Sequence, residues 1–72
     1  MNPVKELIRE KRLHKKMSQT KLAKLVGCHK NTIAMYEQGH RTPPLPRLIE
    51  LAKILDFKIN KKILDLFSVK EP

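Results

Sequence analysis

Glycine and proline, the residues that most strongly interrupt regular structure, are confined to a few places in this chain. Gly occurs only at positions 27 and 39, and Pro at 3, 43, 44, 46 and 72. The segments between them carry no strong helix breaker. A first helix is predicted from Pro3, capped by Asn2, to about Lys15, with Val4, Leu7, Ile8 and the stem of Lys11 on one side and Lys5, Arg9 and Lys16 facing water. Leu13 lies off that stripe. Ser18 is a good N-cap for a second helix carrying Leu22, Ala23, Leu25 and Val26, and Gly27 can turn left-handed after its end. A third helix is predicted from His29 or Lys30 through Tyr36 or Glu37, closed by Gly39 in the same way. Residues 40–46 read as an extended connection, because each proline disfavours helical geometry in its predecessor. A fourth helix down to about Leu55 buries Leu48, Leu51, Ala52 and Leu55 at helical spacing. Asn60 can cap a fifth, Lys61 to Phe67. Asp56 to Asn60 is extended enough for a short strand, yet no clear strand pattern occurs, and the expected class is all-α.

At 72 residues the chain has room for one small domain, assigned to residues 1–67 with a flexible tail over 68–72. So short a chain leaves little scope for a deep catalytic cleft, and it contains no nucleophile elbow, Gly-rich phosphate loop or paired carboxylates. Catalysis is therefore not expected. The charge is more informative: 16 Lys and Arg against 7 Asp and Glu give +9, a balance that attracts nucleic acid, an anionic membrane or an acidic protein. With 4% aromatic residues and no Trp, stacking of single-stranded bases has little support, and a duplex phosphate backbone is the better target. The single Cys28 cannot form an internal disulfide, which fits a reducing, cytoplasmic setting. Neither a signal peptide nor a membrane span is readable, and membrane-surface binding by residues 4–16 conflicts with the use of that narrow apolar stripe in the core. Cys28, His29 and His40 lack the spacing of a zinc site, so neither a metal nor another cofactor is expected.

Residues 19–38 hold an ordered set: a small Ala23 where two helices cross, Gly27 in the turn, Ile33 locking the second helix on the first, and Leu22, Val26 and Tyr36 around them. An ordinary helical hairpin is the plain alternative. The series Met17-Ser18-Gln19, Leu22-Ala23, Val26-Gly27, Thr32-Ile33, Tyr36-Glu37 and Gly39, then Arg41 and Pro43, resembles the phage lambda repressor and Cro helix-turn-helix family over roughly residues 4–56. That resemblance implies a compact five-helix DNA-binding domain, its helix-turn-helix formed by the second and third helices, acting on transcription. Two departures stand out. Lys16 occupies a position where the family often has glycine, and the segment from Lys61 to Phe67 is spaced differently from the usual last helix.

At about 100° per residue, Lys30, Asn31, Ala34, Met35 and Gln38 share one arc of the third helix, opposite Ile33 and Tyr36. A helix fits the major groove of a duplex, so the base-reading residues are expected to be Lys30, Asn31, Ala34 and Met35. Lys30 suits guanine O6 and N7, Asn31 suits adenine N6 and N7, and the Ala34 methyl suits the thymine methyl. A merely solvated helix face is the alternative. The resemblance further implies backbone contacts from Gln19, Thr32, Gln38, His40 and Arg41, and a scaffold ion pair between Arg12 and Glu37. Without the family, Arg12 reads equally as a phosphate contact and Glu37 as a surface acid.

The expected partner is double-stranded DNA with a pseudo-palindromic operator, bound by a homodimer that acts most simply as a repressor, since one domain inserts one recognition helix. Ile59, Ile63, Leu66 and Phe67 serve as an interface or as closure of the monomer's own core. The competing class is a DNA-binding antitoxin or protein-interaction module whose residues 57–72 bind a partner protein.

Overall fold

Five helices occur in the computed structural model, which describes residues 3–65: α1 (Pro3–His14), α2 (Gln19–Val26), α3 (Lys30–Gln38), α4 (Leu45–Leu55) and α5 (Lys61–Asp65). Several of the boundaries have a local chemical cause. Ser18 Oγ accepts the backbone N–H of Lys21 at 3.0 Å, and Asn60 Oδ1 accepts that of Ile63 at 2.9 Å, each satisfying a donor left open in a first helical turn. Gly27 (φ +85°) and Gly39 (φ +79°) end α2 and α3 in the left-handed conformation, where the absence of a Cβ removes the steric penalty. The N–H groups of Gly27 and Cys28 both return to the carbonyl of Ala23, at 2.8 and 2.9 Å. The chain thereby reverses sharply and starts α3 three residues later.

The helices close over one apolar centre made of Val4 and Ile8 from α1, Leu22, Ala23 and Val26 from α2, Ile33 and Tyr36 from α3, and Leu48, Leu51 and Leu55 from α4, with Ile63 from α5 at its edge. The packing of α2 on α3 and of α1 on α3 is the most extensive, and α4 lies against α2 and α1. Helix α3 is thus held along its inner side by two neighbours. Pro43 is also fully buried, which fastens the segment that leads from α3 to α4.

Several expectations are corrected. The connection after α3 ends at Pro44 rather than residue 46, because Leu45 and Pro46 belong to the first turn of α4. A first turn has no use for the N–H that proline lacks, which outweighs the preference of Leu45 for extended backbone. Helix α1 stops at His14 and α3 reaches Gln38. Leu25 is 49% exposed, since an eight-residue helix turns only one arc inward and Leu22, Ala23 and Val26 fill it. Lys5 is half-buried, unlike Arg9 and Lys16; its stem crosses the end of α3, where a Cβ on Gly39 would meet Lys5 Cδ at 3.1 Å. Asp56 ends α4 in the left-handed region (φ +60°), and no strand follows it over 57–60. Asn2, Leu66 and Phe67, to which a cap and part of an interface were assigned, lie outside the described residues, as does the 68–72 tail.

Lys16, the residue that stands in place of the family's glycine, adopts φ +56°. Its side chain therefore sits on a backbone conformation that costs L-residues about 1–2 kcal/mol. Lys16→Gly is expected to raise unfolding stability by up to about 1 kcal/mol, less than the relieved strain because glycine also gains freedom in the unfolded chain. Thermal unfolding followed by circular dichroism checks this, and a lower midpoint contradicts it.

Candidate nucleic-acid interface

The outer arc of α3 begins at a cap that the sequence reading missed. His29, with extended backbone (φ −80°, ψ 148°), precedes the first turn, and its Nδ1 accepts the backbone N–H of Asn31 at 3.0 Å. Ser, Thr, Asp and Asn dominate such positions, which is why a histidine there gave no signal.

From that cap the helix presents Lys30, Asn31, Met35 and Gln38 to solvent and Ala34 half-exposed, while Ile33, Tyr36 and Glu37 turn inward. The two sets fall on opposite arcs, as the 3.6-residue repeat requires. Met35 is 41% exposed and, with the Ala34 methyl beside it, gives the arc an apolar part. Thr32 sits half-buried on the flank. Beyond Gly39 the exposed His40 and Arg41 are tied to the end of α3, because the backbone N–H groups of both reach the carbonyl of Met35, at 3.0 and 3.4 Å.

Behind this surface lies a polar junction. Arg12 Nε donates to Glu37 Oε2 at 2.6 Å and its Nη2 to Oε1 at 2.9 Å, a two-point fork, and its Nη1 donates to the carbonyl of Met17 at 2.7 Å. The side chains are 10% and 4% exposed respectively. Gln19 Nε2 adds a fourth hydrogen bond, to Glu37 Oε1 at 3.2 Å. Hydrogen bonding to Glu37 raises the Arg12 guanidinium above its ordinary range although burial pulls the other way, so this cation is permanent. Four residues thus join the end of α1, the loop after it, the start of α2 and the end of α3. Gln19, expected at the backbone of a duplex, is held against α3 by this junction while remaining half-exposed.

The charge of this region is one-sided. Residues 11–49 contain nine basic side chains and a single acid, Glu37, which Arg12 neutralises. Neither Lys30 nor Arg41 has an ion-pair partner among the described residues. A surface of this sign concentrates polyanions, over about 8 Å at physiological ionic strength.

Cys28 is half-buried and packs on the core, while His29 is committed to its cap. Among the described residues no group of three or more His, Cys, Asp and Glu side chains is placed to hold a metal ion. No helix among them is long and apolar enough to cross a membrane.

The helix-turn-helix family model matches residues 8–62, a span that takes in everything from the middle of α1 to the start of α5. The chain is also 37% identical, over 60 residues, to multiprotein-bridging factor 1c of Arabidopsis thaliana. That alignment covers 83% of this chain and 40% of the longer plant protein.

Proposed function

The chain belongs to the lambda repressor and Cro-like helix-turn-helix family, and from that premise we propose that it is a sequence-specific, double-stranded DNA-binding regulator of transcription that lays α3 in the major groove. The observation that carries this reading is the bare outer arc of α3 within a segment whose unpaired charge is all positive. Lys30, Asn31, Ala34 and Met35 read base edges, each good polar pairing discriminating by about 1–3 kcal/mol. Met35 and Ala34 offer the apolar surface that a thymine methyl meets. Gln19, Thr32, Gln38, His40 and Arg41 fix the position of the domain on the phosphates. Arg41, always charged, contributes more than His40.

One such helix spans few base pairs, so the working species on DNA is a homodimer whose two reading helices lie about 34 Å apart on a pseudo-palindromic site. Occupying a promoter in this way represses it. A second reading comes from the relative, whose name describes a factor that bridges several proteins. The domain then binds a partner protein as well as DNA, and Leu13 and Leu25, 52% and 49% exposed, lie away from the reading arc and offer it apolar contacts.

Titration of the pure protein with random duplex at several salt concentrations tests the first reading. The logarithm of the affinity should fall linearly with the logarithm of salt, by about 0.9 per phosphate contacted; a flat response refutes phosphate-driven binding. Asn31→Ala should relax base preference at one position of a selected site by about 1–3 kcal/mol with helical content unchanged. The His29 cap uses the backbone of Asn31 and survives this substitution. Loss of folding in that variant overturns the assignment of the arc.

A further inference from the structure

We infer that His29 is a positioning residue for base reading: its Nδ1 hydrogen bond to the Asn31 amide, 3.0 Å long, holds the first turn of α3 in the geometry that presents Lys30 and Asn31. The inference rests on the DNA-binding reading and adds to it a residue that touches neither base nor phosphate.

The first turn of α3 needs such a hold. A helix leaves its first four N–H groups without internal partners, and a frayed first turn moves its side chains together. Helix α3 has nine residues and no acid in its first turn, so no carboxylate there favours its positive end. The cap of α2 is a serine hydroxyl, and that of α5 an asparagine carbonyl. Among the described residues, only α3, the helix with the exposed reading arc, has a ring as its side-chain cap. An imidazole that accepts at Nδ1 does so through a lone pair in the plane of its ring, so the bond to the Asn31 amide restricts the orientation of the ring as well as its position. Its anchoring is to the second residue of the helix, the one whose side chain stands on the reading arc. Base discrimination by a bidentate amide depends on placement, and a shift of about 1 Å is enough to lose such a geometry.

Two variants separate this role from a general contribution to folding or charge. His29→Ala removes the acceptor; His29→Ser replaces it with the hydroxyl that serves α2. Two quantities are measured on each full chain and on the wild type: hydrogen exchange of the Asn31 amide in the free protein, and the ratio of affinities for a selected duplex and for the same duplex changed at the base pair sensitive to Asn31→Ala. In His29→Ala the Asn31 amide should exchange about fivefold faster, the usual worth of a helix cap, and the affinity ratio should fall about two- to fivefold, while affinity for random duplex stays the same. His29→Ser should restore both. An unchanged ratio in His29→Ala, with wild-type protein still selective, overturns the inference and leaves the DNA reading standing. Restored amide protection without a restored ratio in His29→Ser also overturns it, by showing that the ring itself meets the duplex. Wild-type protein that selects no site refutes the DNA reading, and the inference falls with it; that result is distinct because it appears before any variant is compared.

Discussion

Glu37→Ala is expected to destabilise the domain by about 3–5 kcal/mol, the cost of leaving one partner of a buried ion pair uncompensated. The exposures of 10% and 4% for the two side chains place the pair well inside the regime where water cannot take over the lost partner's role. Arg12 would keep only the Met17 carbonyl, and Gln19 would lose its acceptor. Arg12→Ala should cost a similar amount, since Glu37 would then be left with the single Gln19 donor. A 72-residue domain has about 4–11 kcal/mol of total stability at the usual per-residue value, so either variant approaches the whole of it. Chemical denaturation at neutral pH checks both. A loss below about 1 kcal/mol, the range of exposed pairs, would contradict the buried geometry. The paired replacement Arg12→Met with Glu37→Leu should recover part of the loss, because two apolar groups of similar volume carry no desolvation cost. Recovery should stay incomplete, as the Met17 carbonyl has lost its Nη1 donor. Raised alkalinity should not mimic these variants: the Arg12 guanidinium is held above its ordinary range, so its contribution is complete below that range and is lost only as pH rises through the still higher folded value.

Local rules account for most of the helices that such a short chain can form. Ser18, Gly27, Gly39 and Asn60 act at their own positions through bonds to residues at most four places away, and signals of that reach are readable one residue at a time. Three features were not. Pro46 counts as a breaker in isolation and as a neutral first-turn residue once Leu45 is helical, and tertiary burial of Pro43 and Leu48 decides between the two. Lys16 carries no propensity for positive φ and Asp56 only a modest one, too little to mark either position in advance, yet both adopt it just past a helix. The exposure of Leu25 follows from the shortness of α2, which periodicity alone cannot convey. At the site, the helical repeat separated the exposed arc of α3 from the buried one because α3 is a regular helix capped at both ends. The pairing of Arg12 with Glu37, 25 residues apart, has no local signature and entered only through the resemblance to a family. His29 escaped notice for the opposite reason: its bond is local, but histidine is a rare cap.

Ile33→Ala is expected to cost about 2–5 kcal/mol, the range for truncating a fully buried branched side chain. Ile33 has no exposed surface and lies where α1 and α2 both press on α3, so neighbouring helices cannot close the space without moving the helix that carries the reading arc. The informative comparison is with Asn31→Ala, two residues away on the same helix. Both substitutions end in alanine, the best helix former, so intrinsic propensity opposes neither, and the difference between them isolates tertiary seating from surface chemistry. Ile33→Ala should lower the thermal midpoint and, at temperatures where part of the variant is unfolded, weaken binding to selected and random duplex alike, through the smaller fraction of competent protein. Asn31→Ala should leave the midpoint in place and change selectivity alone. If Ile33→Ala preserved stability within about 0.5 kcal/mol, the margin of an ordinary surface change, α3 would not be seated as described and no residue on its outer arc could be assigned to a groove.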